Sequence, residues 1–358
     1  MDDKQAFINE EKKIFDIRKK RLYSHILFEI VGFCNAKCKY CITGRENHPK
    51  GGIVDVDNYD RALKKLLDHG LVDNKTLVSL YSWGEPTLHP QLGQILDITQ
   101  NKYGFTTRLS TNAGKTIDYQ KEWFTNLKSL TISMCGFSQD SYDRIHKFDF
   151  EKVKSNIINI VKVAKKARYK TERIYLVHHI YQFNIHEVPL LKKFAEKLRV
   201  SYSPYFAFLN DPKLFRGYVN NQLSLHEMKE ISSEIFCHHI DERLKNHPRD
   251  NCRLFDDLTI DEKCDVITCC GIERDHEDYR ITNIFDNDFI EKLESWRPPK
   301  SCLTCIASGM SPLQDVKDSI FFPKELYQHV SMFQYLKQKG KEIERRIRHT
   351  VRGKKESA

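Results

Sequence analysis

The 358-residue sequence contains no run of 18 apolar residues, so no membrane-spanning helix is expected. Its first residues, Met1-Asp2-Asp3-Lys4-Gln5, are polar and lack the apolar core of a secretory signal. No internal repeat is present, and no low-complexity segment precedes the C-terminal tail. At 40% hydrophobic and 30% charged residues the chain reads as globular, long enough for one large domain with a smaller one appended. Without a secretory signal, the eleven cysteines are expected as metal ligands in a reducing, cytoplasmic setting and not as disulfides. Acidic residues are scarce at the end of the chain. Lys337 to Lys355 hold nine Lys/Arg against two Glu, which is seven of the +9 net charge, so the body is nearly neutral. Such a tail can bind nucleic acid or anionic lipid, but a solvated helix end is the commoner case, and the tail is expected to be dispensable for chemistry.

What the sequence does have is a dense cysteine stretch, Cys34-Asn35-Ala36-Lys37-Cys38-Lys39-Tyr40-Cys41. Three thiolates this close cannot all pair as disulfides, and tetrahedral zinc needs a fourth ligand that the stretch lacks. Three thiolates on a short loop suit three corners of a cubane iron–sulfur cluster, leaving one iron open to a small molecule. Three buried or zinc-binding cysteines are the plainer alternative.

The stretch follows a strand-like run over 24–31. Residues 42–55, with Gly44, His48-Pro49 and Gly51-Gly52, read as a loop, and 57–69 shows helical spacing of Tyr59, Leu63, Leu66 and Leu67. Strands are then expected at 76–82, 106–111, 129–134, 173–181 and 202–208. Helices are expected near 90–101, 118–126, 150–168 and 186–198. Such alternation implies a parallel sheet with helical crossovers, whose ligands gather at the C-terminal strand ends. Residues 210–250 read as mostly helical, and cysteines return at 252, 264, 269, 270, 302 and 305.

The spacing C-x3-C-x-aromatic-C, with Tyr40 at the aromatic position, resembles the radical S-adenosylmethionine (SAM) superfamily. The resemblance implies a partial (β/α)6 TIM-like barrel and a 4Fe-4S cluster whose open iron chelates SAM. It also implies reductive cleavage of SAM to methionine and a 5′-deoxyadenosyl radical that takes a hydrogen atom from substrate. Trp83-Gly84-Glu85-Pro86 is similar to the family's Gly-Gly-Glu-Pro, with Trp83 in place of the first Gly. Gly84 and Glu85 would hold the SAM amino group, a carboxylate being the fitting partner for an ammonium. Asn112, in Thr111-Asn112-Ala113-Gly114, either reaches SAM or shapes a turn. Ser133, in Ile132-Ser133-Met134-Cys135-Gly136, matches a serine that contacts SAM. Cys135 replaces an Asp and reads as a packed small residue. His146 stands where the family has an Arg for the SAM carboxylate, with Arg144 or Lys147 as the alternative source of that charge. His178, His179 and Asn184 fall in the SAM ribose or substrate region, and at most one of the paired histidines points inward.

Cys252-x16-Cys269 followed by Cys302-x2-Cys305 could ligate a second cubane completely, or tetrahedral zinc. The order is similar to the twitch domain, the shortened SPASM domain, with 258–261 as its first hairpin strand and 281–284 preceding the closing CxxC. No cysteine follows Cys305, so one auxiliary cluster is implied and not two. Cys270 is an alternative to Cys269, Cys264 sits where the domain usually has Gly, and Cys237 is expected to be buried on a helix.

The expected fold class is therefore α/β. It comprises an N-terminal helical extension (1–23), the barrel (24–210), a helical linker (211–251), a small cysteine-rich twitch/SPASM-like domain (252–310) and a helical basic tail (311–358). The expected function is a radical SAM oxidoreductase with two 4Fe-4S clusters and SAM. Removing one hydrogen atom leaves a substrate radical, and a two-electron oxidation then needs an acceptor such as the auxiliary cluster. Dehydrogenation of a sugar, cyclitol or similar small molecule is the first reading and peptide modification the second. A flavodoxin- or ferredoxin-type reductant is the expected partner. A zinc-stapled nucleic-acid-binding protein and a simple iron–sulfur electron carrier are the non-enzyme alternatives.

Overall fold

The computed structural model describes residues 22–45, 47–246 and 252–310. The expected basic tail and all but the end of the N-terminal extension lie outside the described residues. Six strands stand side by side in the order in which the chain makes them: β1 (His25–Phe28), β2 (Leu77–Ser79), β3 (Thr106–Thr111), β4 (Leu127–Met134), β5 (Ile174–Ile180) and β6 (Ser201–Phe206). Each pairs in parallel with the next. Parallel neighbours require crossovers. Four of the five carry α-helices, α1 (Val56–Asp68), α2 (Leu92–Asp97), α3 (Gln139–Arg144) with α4 (Phe150–Lys166), and α5 (Val188–Leu198), and the β3–β4 crossover carries none. The parallel sheet expected from the alternation, and the partial barrel that the resemblance implies, are the observed core.

Local chemistry explains the elements. The Asp55 carboxylate accepts from the Asp57 and Asn58 amides and starts α1, which buries Tyr59, Ala62, Leu63 and Leu66 on one face. Along β4, Leu130, Ile132 and Met134 are buried, whereas Ser129, Thr131 and Ser133 alternate with them and are half-buried. Small polar side chains thus line the inner face, and the apolar side chains face the helices.

Three elements differ from expectation. The ladder of β1 ends at Phe28, because Ile30–Gly32 turn away to pair antiparallel with the segment 51–54. The helix near 90–101 breaks register. α2 gives way to a π-turn over Ile98–Lys102, where the Thr99 hydroxyl bonds the Ile95 carbonyl and Tyr103 donates to Ile98. The helix near 118–126 is a single 3-10 turn, Lys121–Phe124.

Three helices follow the barrel: α6 (Pro212–Val219), α7 (Leu225–Glu234) and α8 (Cys237–Asn246). Cys237 opens α8 and is half-buried. The cysteine-rich segment then joins the same sheet. β7 (Leu258–Ile260) pairs in parallel with β1, and β8 (Asp265–Ile267) and β9 (Arg280–Asn283) continue antiparallel, giving nine strands in the order β6-β5-β4-β3-β2-β1-β7-β8-β9. The β7–β8 turn is tight, and Cys264 adopts a φ of 63° there, in the region that favours the Gly expected at this position. Two helices, α9 (Phe289–Ser295) and α10 (Lys300–Ala307), close the described chain. Among the described residues no helix is long and apolar enough to cross a membrane.

Candidate active site

The turn after β1 brings Cys34, Cys38 and Cys41 to the C-terminal mouth of the barrel, each half-buried and none in a disulfide. The stretch is held at both ends. The Lys37 amide donates to the His146 carbonyl, and Cys41 bridges in parallel to Asn210 beyond β6. Burial pushes the Cys34 thiol up to about 12, with Glu85 and Cys41 adding to the effect. Burial also raises Cys38 and Cys41, and Cys38 is raised further by Cys41, Cys34 and Cys135. Three sulfurs this close therefore repel one another as thiolates and need a cationic centre to ionise together. Donors are already aimed at one of them: the Ala36 amide and the Asn112 side-chain N–H each lie 3.4 Å from Cys34 Sγ. Among the described residues no three Cys, His, Asp or Glu converge on a single ion site. A cubane instead takes each thiolate on a different iron, so the loop fits three of its corners.

Glu29, 3% exposed at the end of β1, underlies the next motif. One of its oxygens accepts from the amides of Trp83 and Gly84 at 2.8 and 2.9 Å. Gly84 packs so closely on the turn after β1 that a Cβ there would stand 1.7 Å from the Val31 carbonyl oxygen. The Glu85 amide donates to the Phe33 carbonyl, and its buried carboxylate accepts from the Thr87 amide and hydroxyl and from the Asn112 amide. Burial raises the Glu85 carboxyl above its usual range, against the opposing pull of these hydrogen bonds.

Asn112 shapes a turn and also touches the cysteine loop. Its Oδ1 accepts from Gly114, while its Nδ2 donates to Asn35 Oδ1 at 2.9 Å and approaches Cys34 Sγ. Ser133 is half-buried on the inner face of β4. Tyr40 is buried, donates from its hydroxyl to Glu234 at 2.6 Å and stacks on Tyr181, which stacks on Phe183. Arg144 lies over Phe183 and pairs with Asp140. His146 is buried edge-on to Tyr142, and its Nδ1 has no hydrogen-bond partner among the described residues. Burial holds it neutral, down to about 3. Asn184 is fully buried. Its two N–H groups go to the Cys135 and His179 carbonyls and its Oδ1 accepts from Tyr181, so it braces the ends of β4 and β5. Of the paired histidines, His179 lies on the inner face bonded to Tyr205, and His178 is buried on the opposite face against Tyr202. Cys135 is buried and points its thiol at the Ser141 carbonyl.

Facing the mouth is a cavity of about 880 Å³ between the barrel strand ends and the C-terminal segment. Cys252, Cys269, Cys270, Cys302 and Cys305 line one side of it, and Tyr81, Trp83, Tyr205, Phe206, Phe208 and Phe215 line much of the rest. None of the five cysteines is in a disulfide, and Cys252 and Cys302 are buried. Burial raises Cys270, with Cys269 and Cys252 adding to it, and pushes Cys305 up to about 12, with Cys269 adding. The Gly271 amide donates to Cys269 Sγ at 3.2 Å. Five thiols thus line one wall of the cavity, with Cys269 and Cys270 adjacent there.

Apart from Trp83, the residues tying these two regions together are ones the sequence reading missed. Arg274 pairs with Glu29 and Glu262 and lies 3.7 Å from Asp261. Glu262 accepts from the Gly52 amide, and a Cβ on Gly51 would collide with its carboxylate. The Trp83 indole donates to the Cys270 carbonyl. Glu187, 2% exposed, accepts from Phe137, Ser138 and Ser141 and shapes the turn at Gly136, whose φ is 157°. The adjacent carboxylates Asp261-Glu262 beside the second cysteine group are the one sequence signal that could have pointed to this network.

Residues 28–195 match the model of the Radical SAM superfamily. The fold is similar to the crystal structure of Streptococcus suis SuiB bound to S-adenosylmethionine, at 13% identity and a TM-score of 0.52, over 80% of this chain and 68% of that one. SuiB bound to the precursor peptide SuiA gives 13% identity and a TM-score of 0.51 over 84% and 73%. Polyhistidine-tagged anSMEcpe with bound AdoMet gives 15% identity and a TM-score of 0.50 over 85% and 84%. No curated protein sequence matches the chain. The matched segment spans most of the barrel, from the end of β1 into α5, and is similar to the Radical SAM domain, a family that implies a 4Fe-4S cluster and SAM.

Proposed function

We propose that this chain is a radical SAM oxidoreductase in which Cys34, Cys38 and Cys41 hold the SAM-binding cluster. When bound, the cluster and SAM supply reductive cleavage of SAM and hydrogen-atom removal from a C–H bond. The observation that carries the reading is one residue, Asn112. Its side chain reaches the Cys34 sulfur while its backbone amide holds the Glu85 carboxylate. The strand ends that would bind SAM and the loop that would bind iron are thereby one unit. Glu85 offers that unit's carboxylate to an ammonium, and Gly84, Asn112 and Ser133 complete the wall at the strand ends. Tyr40 and Asn184 hold their loops in place. For the SAM carboxylate, Arg144 supplies charge and His146 a neutral ring with an unpartnered nitrogen.

Cys252, Cys302, Cys305 and either Cys269 or Cys270 would hold one auxiliary cluster of the twitch type, completely ligated by thiolates and suited to accept an electron. The reaction is then a two-electron conversion of a C–H bond in a small molecule such as a sugar or cyclitol. A second reading, modification of a peptide side chain, is favoured by the aromatic wall of the cavity. A soluble flavodoxin- or ferredoxin-type protein would deliver the electrons.

The test is anaerobic reconstitution followed by reduction. Wild-type protein is expected to carry about eight irons per chain and no zinc, and to form 5′-deoxyadenosine from SAM. The Cys34→Ala, Cys38→Ala, Cys41→Ala variant should lose that activity; turnover at the wild-type level would overturn the assignment. The Cys302→Ala, Cys305→Ala variant should lose about four irons and product formation while keeping SAM cleavage, provided the first cluster is retained.

A further inference from the structure

At the opposite end of the barrel from the cysteine loop, the lumen opens into a second cavity of about 1340 Å³. Eight Lys and Arg side chains line it, against one carboxylate, Glu122. The nearly neutral body of the chain therefore places a strong excess of one sign around one hole. The only salt bridge among these nine described residues is Lys121 to its neighbour Glu122, at 3.8 Å between exposed groups. Lys128, Lys166, Lys170 and Arg173 have no acidic partner among the described residues.

Arg108 is the telling member. It lies midway along β3 on the inner face, half-buried, and no hydrogen bond or ion pair among the described residues engages its guanidinium. Its surroundings are hydroxyls: Thr106, Ser129 and Thr131 on the same face, and Tyr81 above it. The Tyr169 hydroxyl, at the rim, is buried without a hydrogen-bond partner among the described residues. An arginine drawn out of water without a carboxylate is costly unless an anion completes the site. Like charges around a concave, low-dielectric wall focus their potential into it. Guanidinium, ammonium and hydroxyl donors together match phosphoryl oxygens.

We propose that this cavity binds a small molecule carrying two or more phosphate groups. Arg108 contacts one phosphate at the bottom, and Lys128, Lys170 and Arg173 hold the others at the rim. A concave site of this volume accommodates a nucleotide-sized ligand, where a docked protein face would leave Arg108 unreached. The site is independent of the iron and SAM chemistry, although Tyr81 lines both this cavity and the one at the mouth.

The experiment is calorimetric titration of the full chain with inorganic tripolyphosphate at about 150 mM salt, near physiological ionic strength. One equivalent is expected to bind saturably. Arg108→Gln should weaken binding about tenfold or more, and so should the double reversal Lys170→Glu, Arg173→Glu, which involves exposed residues and keeps the test open if the Arg108 variant misfolds. The reversal Lys193→Glu, Lys197→Glu on α5 is the control and should leave binding unchanged. Absence of saturable binding overturns the proposal. So does equal loss in the control, which would mark general charge attraction. Binding of a single-stranded oligonucleotide in place of tripolyphosphate, lost in the same rim variant, would overturn it too and reassign the face to nucleic acid.

Discussion

Arg274 in the C-terminal segment pairs with Glu29 at the end of β1, 245 positions earlier in the chain. Glu29 in turn holds the amides of Trp83 and Gly84, so a single guanidinium joins the cysteine-rich segment to the strand end proposed to bind SAM. Burial raises the Glu29 carboxyl, and the Arg274 charge opposes that shift. Burial of Arg274 is likewise offset by its carboxylate partners, and its guanidinium stays charged.

Removing that guanidinium leaves Glu29 and Glu262 buried without a cation. Arg274→Ala is expected to cost about 3–5 kcal/mol in urea denaturation. Arg274→Lys should recover only part of this, because an ammonium cannot serve both carboxylates as a fork does. A wild-type unfolding midpoint for Arg274→Ala would refute the role given to this pair.

Gly84→Ala tests the packing of the strand end. The new methyl would stand 1.7 Å from a backbone oxygen, that of Val31, which cannot rotate away. Overpacking of this kind costs about 1–3 kcal/mol or more, and should also displace Glu85. Lower thermal stability together with lost SAM cleavage is expected. Unchanged values for both would show that the strand end has room.

Trp83 stands where the resembling family has glycine, and its indole bonds the Cys270 carbonyl. Trp83→Phe keeps the ring and removes the donor, at a cost of about 1 kcal/mol. Limited proteolysis should then cut within 252–310 faster than in wild type, while the barrel stays protected. Equal cutting rates would show that this hydrogen bond does not anchor the segment.

Acidification should destabilise the fold through its buried histidines. His178 is fully buried and its pKa is lowered to about 3, first by burial and then by His179. An unfolded chain binds a proton near pH 6.5 that the folded one refuses. The stability contribution is thus complete above about pH 6.5 and lost as pH falls toward 3, about 2 kcal/mol by pH 5. His178→Asn retains a group for the Tyr202 hydroxyl and should flatten the dependence of melting temperature on pH between about 6.5 and 5. An unchanged slope would place the titration elsewhere.

Much of this was legible in the sequence by itself. The alternation of apolar runs pointed to six parallel strands, because period and punctuation are local properties of a chain. The spacing of Cys34, Cys38 and Cys41 fitted a cluster loop, because three thiolates within eight residues leave few chemical options. Cys264 was readable as a glycine-like position, and its φ of 63° agrees. Tertiary structure alone decided the rest. That β7 adds to the barrel sheet beside β1 depends on free strand edges, which no periodicity reveals. Which face of β5 carries His179 depends on register, since neighbouring residues always alternate. Asn184 is a brace whose N–H groups are consumed by two carbonyls, and its motif position could not disclose those partners. The charge network of Glu29, Glu262 and Arg274, and the unpaired Arg108 in its basic cavity, arise from residues far apart in sequence. Pairing between charges far apart in sequence leaves no local pattern, and only folding determines which of them meet and which are left without a partner.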